Sequence, residues 1–133
     1  MAQGAFDLAK YPVHLGLGAT ATVQEAFTGD AAWYADYARR TESDGIEGRL
    51  VGVHTFTAPW SSWEMHPKGH ELVVCVAGRM VLHQEIDGRV VSVTLGPGMA
   101  AINPPGVWHT ADVDDTATAL FITAGVGTEH RSR

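Results

Sequence analysis

Two stretches decide how this chain reads: Trp60-Ser61-Ser62-Trp63-Glu64-Met65-His66-Pro67-Lys68-Gly69-His70-Glu71 and Gly98-Met99-Ala100-Ala101-Ile102-Asn103-Pro104-Pro105-Gly106-Val107-Trp108-His109. Each places an imidazole at the end of an extended segment beside a Pro/Gly corner. Glu64 and His66 are two residues apart, so on an extended chain both side chains leave the same face. Pro67-Lys68-Gly69 turns the chain, and His70 and Glu71 open the next strand within reach of the same point. His109 arrives from a separate hairpin. Such a mixed imidazole and carboxylate set suits Zn²⁺, Fe²⁺, Mn²⁺ or Ni²⁺, which accept nitrogen and oxygen donors together. Two histidines, one carboxylate and open positions is also the ligand count of non-haem iron oxygenases.

Outward from these stretches the period is that of strands. Residues 50–57 are rich in β-formers, and residues 71–77 are apolar on both faces, which predicts cover on both sides. Residues 79–86 and 89–95 flank Asp87-Gly88, a strong two-residue hairpin signal. Residues 100–102 and 107–113 flank the Pro104-Pro105-Gly106 corner, and residues 117–124 end the series. Seven or eight short strands with no helix between them predict an all-β, antiparallel barrel. Phe56, Met80 and Leu82 project into its interior by alternation.

The N-terminal part reads differently. Residues 1–29 carry little periodic signal, and Tyr11-Pro12 with Gly16 and Gly18 suggests an arm laid over the surface. Residues 30–41 are the one convincing helix: Thr28 or Asp30 can cap it, and Arg39 and Arg40 suit the negative end of its dipole. Tyr34, Tyr37, Ala38 and Thr41 give it a mostly apolar stripe, expected to pack on the outside of a sheet. The resulting division is a single domain over residues 1–133, with arm and helix in 1–45, barrel in 46–126 and a C-terminal tail in 127–133.

Bulk properties narrow the function classes. A chain of 133 residues fits one domain and buries about two thirds of its unfolded surface, enough for a core without staples. A net charge of −6 with no run of Lys or Arg argues against a nucleic-acid partner. Cys75 is the only cysteine, so no internal disulfide forms, and its apolar surroundings make it a small buried residue rather than a nucleophile. No signal-like start and no apolar run of membrane-spanning length is visible; the expectation is a cytoplasmic protein without a membrane partner.

At the two histidine segments the chain resembles the cupin superfamily, in particular its small single-domain members. The first family motif is His-x-His, three or four residues, Glu, six residues, Gly; here Glu64-Met65-His66, four residues, Glu71, six residues and Gly78 follow that spacing, with Glu64 in place of the first histidine. The second is Gly, five residues, Pro-x-Gly, two residues, His, three residues, Asn; Gly98, Pro104-Pro105-Gly106 and His109 match it, and Val113 replaces the closing asparagine. The motifs span residues 60–113 in the family order, and the strand pattern extends the likeness to about residue 124.

The resemblance implies a double-stranded β-helix, or jelly-roll, barrel holding one divalent metal (Zn, Fe, Mn or Ni). It puts His66, Glu71 and His109 at three ligand positions and Glu64 at the fourth with a changed donor. His70 stands at the alternative spacing and competes with Glu71, as a ligand or as a partner holding one. A small organic molecule would then undergo oxygenase, isomerase or decarboxylase chemistry. The alternative is a non-catalytic barrel that binds or senses a small molecule. A metal-free sugar-nucleotide epimerase fits less well, because the barrel segments contain no tyrosine and few basic residues. The resemblance also implies a homodimer. Trp60, Trp63 and Trp108 are expected in core or rim packing. His14, His54, His83 and His130 receive no role, with His83 expected to face solvent or a second subunit.

Overall fold

Alternation of inward apolar and outward polar side chains sorts short strands into two antiparallel sheets closed over one core. The computed structural model describes residues 4–133. Its strands are β1 Val13–Gly16, β2 Thr20–Val23, β3 Arg49–Phe56, β4 Ser62–Met65, β5 Glu71–Gly78, β6 Met80–Ile86, β7 Arg89–Leu95, β8 Ala100–Asn103, β9 His109–Asp112, β10 Ala117–Thr123 and β11 Glu129–Ser132. One sheet runs β2-β1-β3-β10-β5-β8 and the other β11-β4-β9-β6-β7. The expected all-β antiparallel barrel is present, with one α-helix among the described residues, α1 Ala31–Thr41.

The two sheets share a core of Val73 and Cys75 from β5, Met80 from β6, Leu95 from β7, Ala111 from β9, Val113, and Ala117, Ala119 and Phe121 from β10. Phe56 packs against this cluster, and Leu82 is fully buried, as alternation predicted. Cys75 is a free thiol inside the core, and burial pushes its pKa up, so it has the character of a small apolar residue. The β6–β7 hairpin turns at Asp87 and Gly88, both with positive φ (51° and 76°), the backbone that two-residue hairpins select. On β5 the outer face is only partly covered within the chain: Leu72 and Val74 are half-buried and Val76 is 50% exposed.

Both ends of the chain hold more structure than their sequence advertises. The arm contains the β1–β2 hairpin, and β1 adds to the edge of β3 in the register Val13↔Val51. Residues 129–132, expected as a tail, form β11 and pair with β4 in the register His130↔Glu64. Glu129, His130, Arg131 and Ser132 are all exposed and show no apolar alternation. An edge strand satisfied mainly by backbone hydrogen bonds leaves no hydrophobic signature.

Helix α1 starts where both candidate caps cooperate: Asp30 accepts a hydrogen bond from the Trp33 amide (2.9 Å), and the Thr28 hydroxyl donates to the same carboxylate oxygen (2.9 Å). These bonds hold the Asp30 carboxyl below its ordinary range. The buried residue is Trp33, not Tyr34, which is 45% exposed. Trp33 stacks on Tyr37 at 5.6 Å between centroids, so the inward stripe sits one residue earlier than the tyrosine spacing suggested. Asp30→Ala is expected to lower stability by about 1 kcal/mol through loss of the cap, read as a shift of the urea midpoint at constant slope.

Candidate metal centre

Strand register brings the site together before any side chain is considered. On the five-stranded sheet, His109 of β9 lies opposite Glu64 of β4 on one side and Gln84 of β6 on the other. On the six-stranded sheet, Glu71 of β5 lies opposite Asn103 of β8 and Thr123 of β10. His66 follows β4, beyond the strand that carries Glu64. The site therefore bridges the two sheets, with Glu71 reaching from one toward His109 and Glu64 on the other.

The four groups converge. His66 Nε2 and His109 Nε2 each lie 3.2 Å from an oxygen of Glu71, Oε2 and Oε1 respectively. Both nitrogens lie 3.8 Å from the same oxygen of Glu64, Oε1. The His66 and His109 ring centroids are 5.1 Å apart. Ligand atoms of Glu64, His66 and His109 all fall within 4.8 Å of one another. Donors about 2.0–2.2 Å from a shared divalent ion stand roughly 3.0–3.6 Å apart in tetrahedral or octahedral geometry, which these separations approach.

Satisfaction of polar atoms tests whether a cation fits. His66 Nε2 and His109 Nε2 are buried and have no hydrogen-bond partner, although a carboxylate stands close to each. Two adjacent imidazole nitrogens left unpaired inside a core are rare, because an unpaired buried polar group is destabilising. Both point into the same carboxylate-flanked space. A divalent cation would use both lone pairs and balance the two acids. The residues present fit one.

Three of the four groups are held from behind. Glu71 accepts from Asn103 Nδ2 on Oε1 (3.0 Å) and from Thr123 Oγ1 on Oε2 (2.6 Å). Gln84 Nε2 in turn donates to Asn103 Oδ1 (2.7 Å), tying the second sheet to the same chain of bonds. His66 Nδ1 meets Thr128 Oγ1 at 2.8 Å, and Glu64 Oε2 meets His130 Nε2 at 3.2 Å. Such outer partners fix ring and carboxylate orientation.

Electrostatics inside the cluster is strong. Burial works against charge on His109, but the carboxylates of Glu64 and Glu71 outweigh it and push its pKa up to about 9. Burial likewise favours a neutral Glu71, yet His109 and His66 hold its carboxyl far below the ordinary range. Glu64 is lowered in the same way against its own burial, chiefly by His109. Without a cation, the two carboxylates favour a proton on His109.

His70 does not join the group. It is exposed, immediately before β5, while Glu71 beside it is buried among the histidines. Entry into a strand sends neighbouring side chains to opposite faces, which is why the two differ in burial. Trp60 packs against Phe56, Phe121 and His109 (centroids 5.4, 6.1 and 6.2 Å) and so walls the site. Trp63 and Trp108 lie under the Arg131 guanidinium, 5.3 and 4.6 Å from the ring centroids. His83 bonds Ser92 (2.6 Å) and Asp112 (2.8 Å), away from the cluster. Sequence reading missed Asn103, Thr123, Gln84, Thr128 and His130, because their part depends on register between strands distant in the chain.

The cupin domain family matches residues 54–125, and the chain belongs to that family. Solved structures resemble part of the chain. A protein from Neisseria meningitidis is 21% identical over 57% of this chain and 74% of its own, with a TM-score of 0.49. A hydroquinone 1,2-dioxygenase, PnpCD, solved with Cd²⁺ and 4-hydroxybenzonitrile, is 14% identical over 56% of each chain, with a TM-score of 0.51. One chain described among the crystal structures of the DMSP lyases RdDddP and RnDddQII is 23% identical over 65% of this chain and 45% of its own, with a TM-score of 0.51. The chain thus spans only about half the length of those enzyme chains. No curated protein matches the sequence. No helix among the described residues is long and apolar enough to cross a membrane.

Proposed function

We propose that the chain is a small metal-dependent cupin in which Glu64, His66, Glu71 and His109 hold one divalent cation that acts on a small organic molecule. The observation that carries this reading is the pair of buried, unpaired Nε2 atoms facing two carboxylates. A bound cation of the Zn, Fe, Mn or Ni group would supply Lewis acidity to an oxygen of the substrate, and iron would add redox chemistry. The reaction classes open to such a site are oxygenation, isomerisation and decarboxylation. Glu64, whose side chain is 30% exposed, is the carboxylate best placed to meet an incoming molecule and to accept a proton from it. Glu71 is fixed by two hydrogen bonds and serves as a rigid donor. Trp60 and Phe56 give that space an apolar flank which limits water.

A homodimer in the cytoplasm remains part of this proposal. Val90, Val91 and Val93 are exposed along β7, an edge strand, and Met99 and Ile102 are exposed near and along the other sheet's edge strand β8, which supports a covered surface in solution. Protein purified without chelator is expected to carry close to one equivalent of a transition metal by elemental analysis. Less than about a tenth of an equivalent, before and after incubation with Fe²⁺, Mn²⁺, Ni²⁺ and Zn²⁺, would refute the metal reading.

A further inference from the structure

Thr128 lies in the turn that leads into β11, outside both histidine motifs. Its hydroxyl makes two contacts: Oγ1 to the Gly125 carbonyl at 2.8 Å, and Oγ1 to His66 Nδ1 at 2.8 Å. A hydroxyl has one proton to donate, and a carbonyl oxygen can only accept. The proton of Thr128 therefore goes to Gly125, and toward His66 the hydroxyl offers a lone pair. His66 must then carry its hydrogen on Nδ1. A neutral imidazole has only one N–H, so Nε2 is left with a free lone pair. That is the atom found buried, unpaired and 3.2 Å from Glu71.

We propose that Thr128 is a positioning residue: by accepting the Nδ1–H of His66 it locks the imidazole in the tautomer whose Nε2 can bind a cation, before any cation arrives. The inference rests on the metal reading above but concerns a proton that exists without metal. His109 has a longer contact of the same kind, its Nδ1 lying 3.4 Å from the Val107 carbonyl. The stronger bond at His66 makes the C-terminal turn part of the centre. His130, two residues further on, meets Glu64 at 3.2 Å, so the segment leading into and through β11 touches two of the four donors. Strand β11 completes the site as well as the sheet.

The experiment compares wild type with Thr128→Val, which keeps the shape and loses the hydroxyl, and Thr128→Ser, which restores it. Two-bond ¹H–¹⁵N correlations of the histidine rings in metal-free, ¹⁵N-labelled protein report the tautomer directly. Wild type and Thr128→Ser are expected to show His66 as the Nδ1–H form, and Thr128→Val a mixture with the Nε2–H form. Titration with Co²⁺, followed by its visible absorption, is expected to show affinity weakened about 10- to 100-fold in Thr128→Val and kept in Thr128→Ser. The Nε2–H form in wild type, or unchanged tautomer and Co²⁺ affinity in Thr128→Val, would overturn the proposal. Should Thr128→Val not fold, the tautomer in wild type and in Thr128→Ser still decides it. Wild type that shows the Nδ1–H form but binds no Co²⁺ would overturn the metal reading instead, and with it the purpose assigned to Thr128.

Discussion

His109→Ala is expected to abolish metal binding, with affinity falling by more than about a hundredfold, beyond what the loss of an outer hydrogen bond produces. His109 is fully buried at the centre of the five-stranded sheet, and its Nε2 stands 3.2 Å from Glu71 and 3.8 Å from Glu64. His66 already supplies the opposite side of the cluster, His70 is exposed on another face, and His130 is itself exposed and meets Glu64 through its other oxygen, Oε2. The same substitution should lower the stability of metal-free protein by about 3 kcal/mol. It removes the cation partner of Glu71 and leaves that carboxylate buried with less compensation. Elemental analysis and urea unfolding on the same preparation read both effects. His70→Ala is the paired control, expected to keep wild-type metal content and to move stability by less than about 0.5 kcal/mol, as exposed positions do. Metal retained in His109→Ala, or lost in His70→Ala, would contradict the assigned ligand set.

The contrast between those two histidines shows where sequence is informative and where it stops. Motif spacing and strand periodicity placed Glu64, His66, Glu71 and His109 on converging segments, and the structure brings all four together. The six-residue run to Gly78 favoured Glu71 but left His70 in competition, because the choice turns on the residue at which β5 begins. The barrel was legible for a simple reason: the inward residues of β5, β6 and β10 are apolar, and a glycine follows an aspartate at the β6–β7 turn. The β1–β2 hairpin and β11 were not, since they add to sheet edges through the backbone without apolar alternation, and the buried side chain of β1 is the polar His14. The outer partners of the site were hidden for another reason. Asn103 and Thr123 matter only because register sets both of them opposite Glu71, and Thr128 only because the chain returns to His66 after 62 residues. Pairwise register across a barrel is a property of the whole fold, and no local window contains it.

Gly78→Ala is expected to be the most destabilising single-methyl change in the barrel, by about 4 kcal/mol or more. Gly78 ends β5 with φ at +74°, where an L side chain costs roughly 1–2 kcal/mol by itself. The larger part is contact. A Cβ there would lie 2.0 Å from the Thr116 carbonyl oxygen, 2.9 Å from the Thr116 carbonyl carbon and 3.0 Å from Ala117 Cα. All three are backbone atoms at the start of β10, so no rotamer change relieves the clash; strand β10 must move away from β5. Gly88 in the β6–β7 turn separates the two contributions, since its φ is +76° but nothing lies within 4 Å of the place a methyl would take there. Gly88→Ala should therefore show the conformational penalty alone, about 1 kcal/mol. Urea midpoints for the two variants are expected to differ by several-fold in their shift from wild type. The displacement also reaches the site, because β10 carries Thr123, which holds Glu71 Oε2 at 2.6 Å. Gly78→Ala protein that does fold should bind Co²⁺ more weakly, while Gly88→Ala should bind as wild type. Equal destabilisation by the two alanines would mean that the β5–β10 contact yields freely, and that the glycine closing the first motif is there for its backbone angle alone.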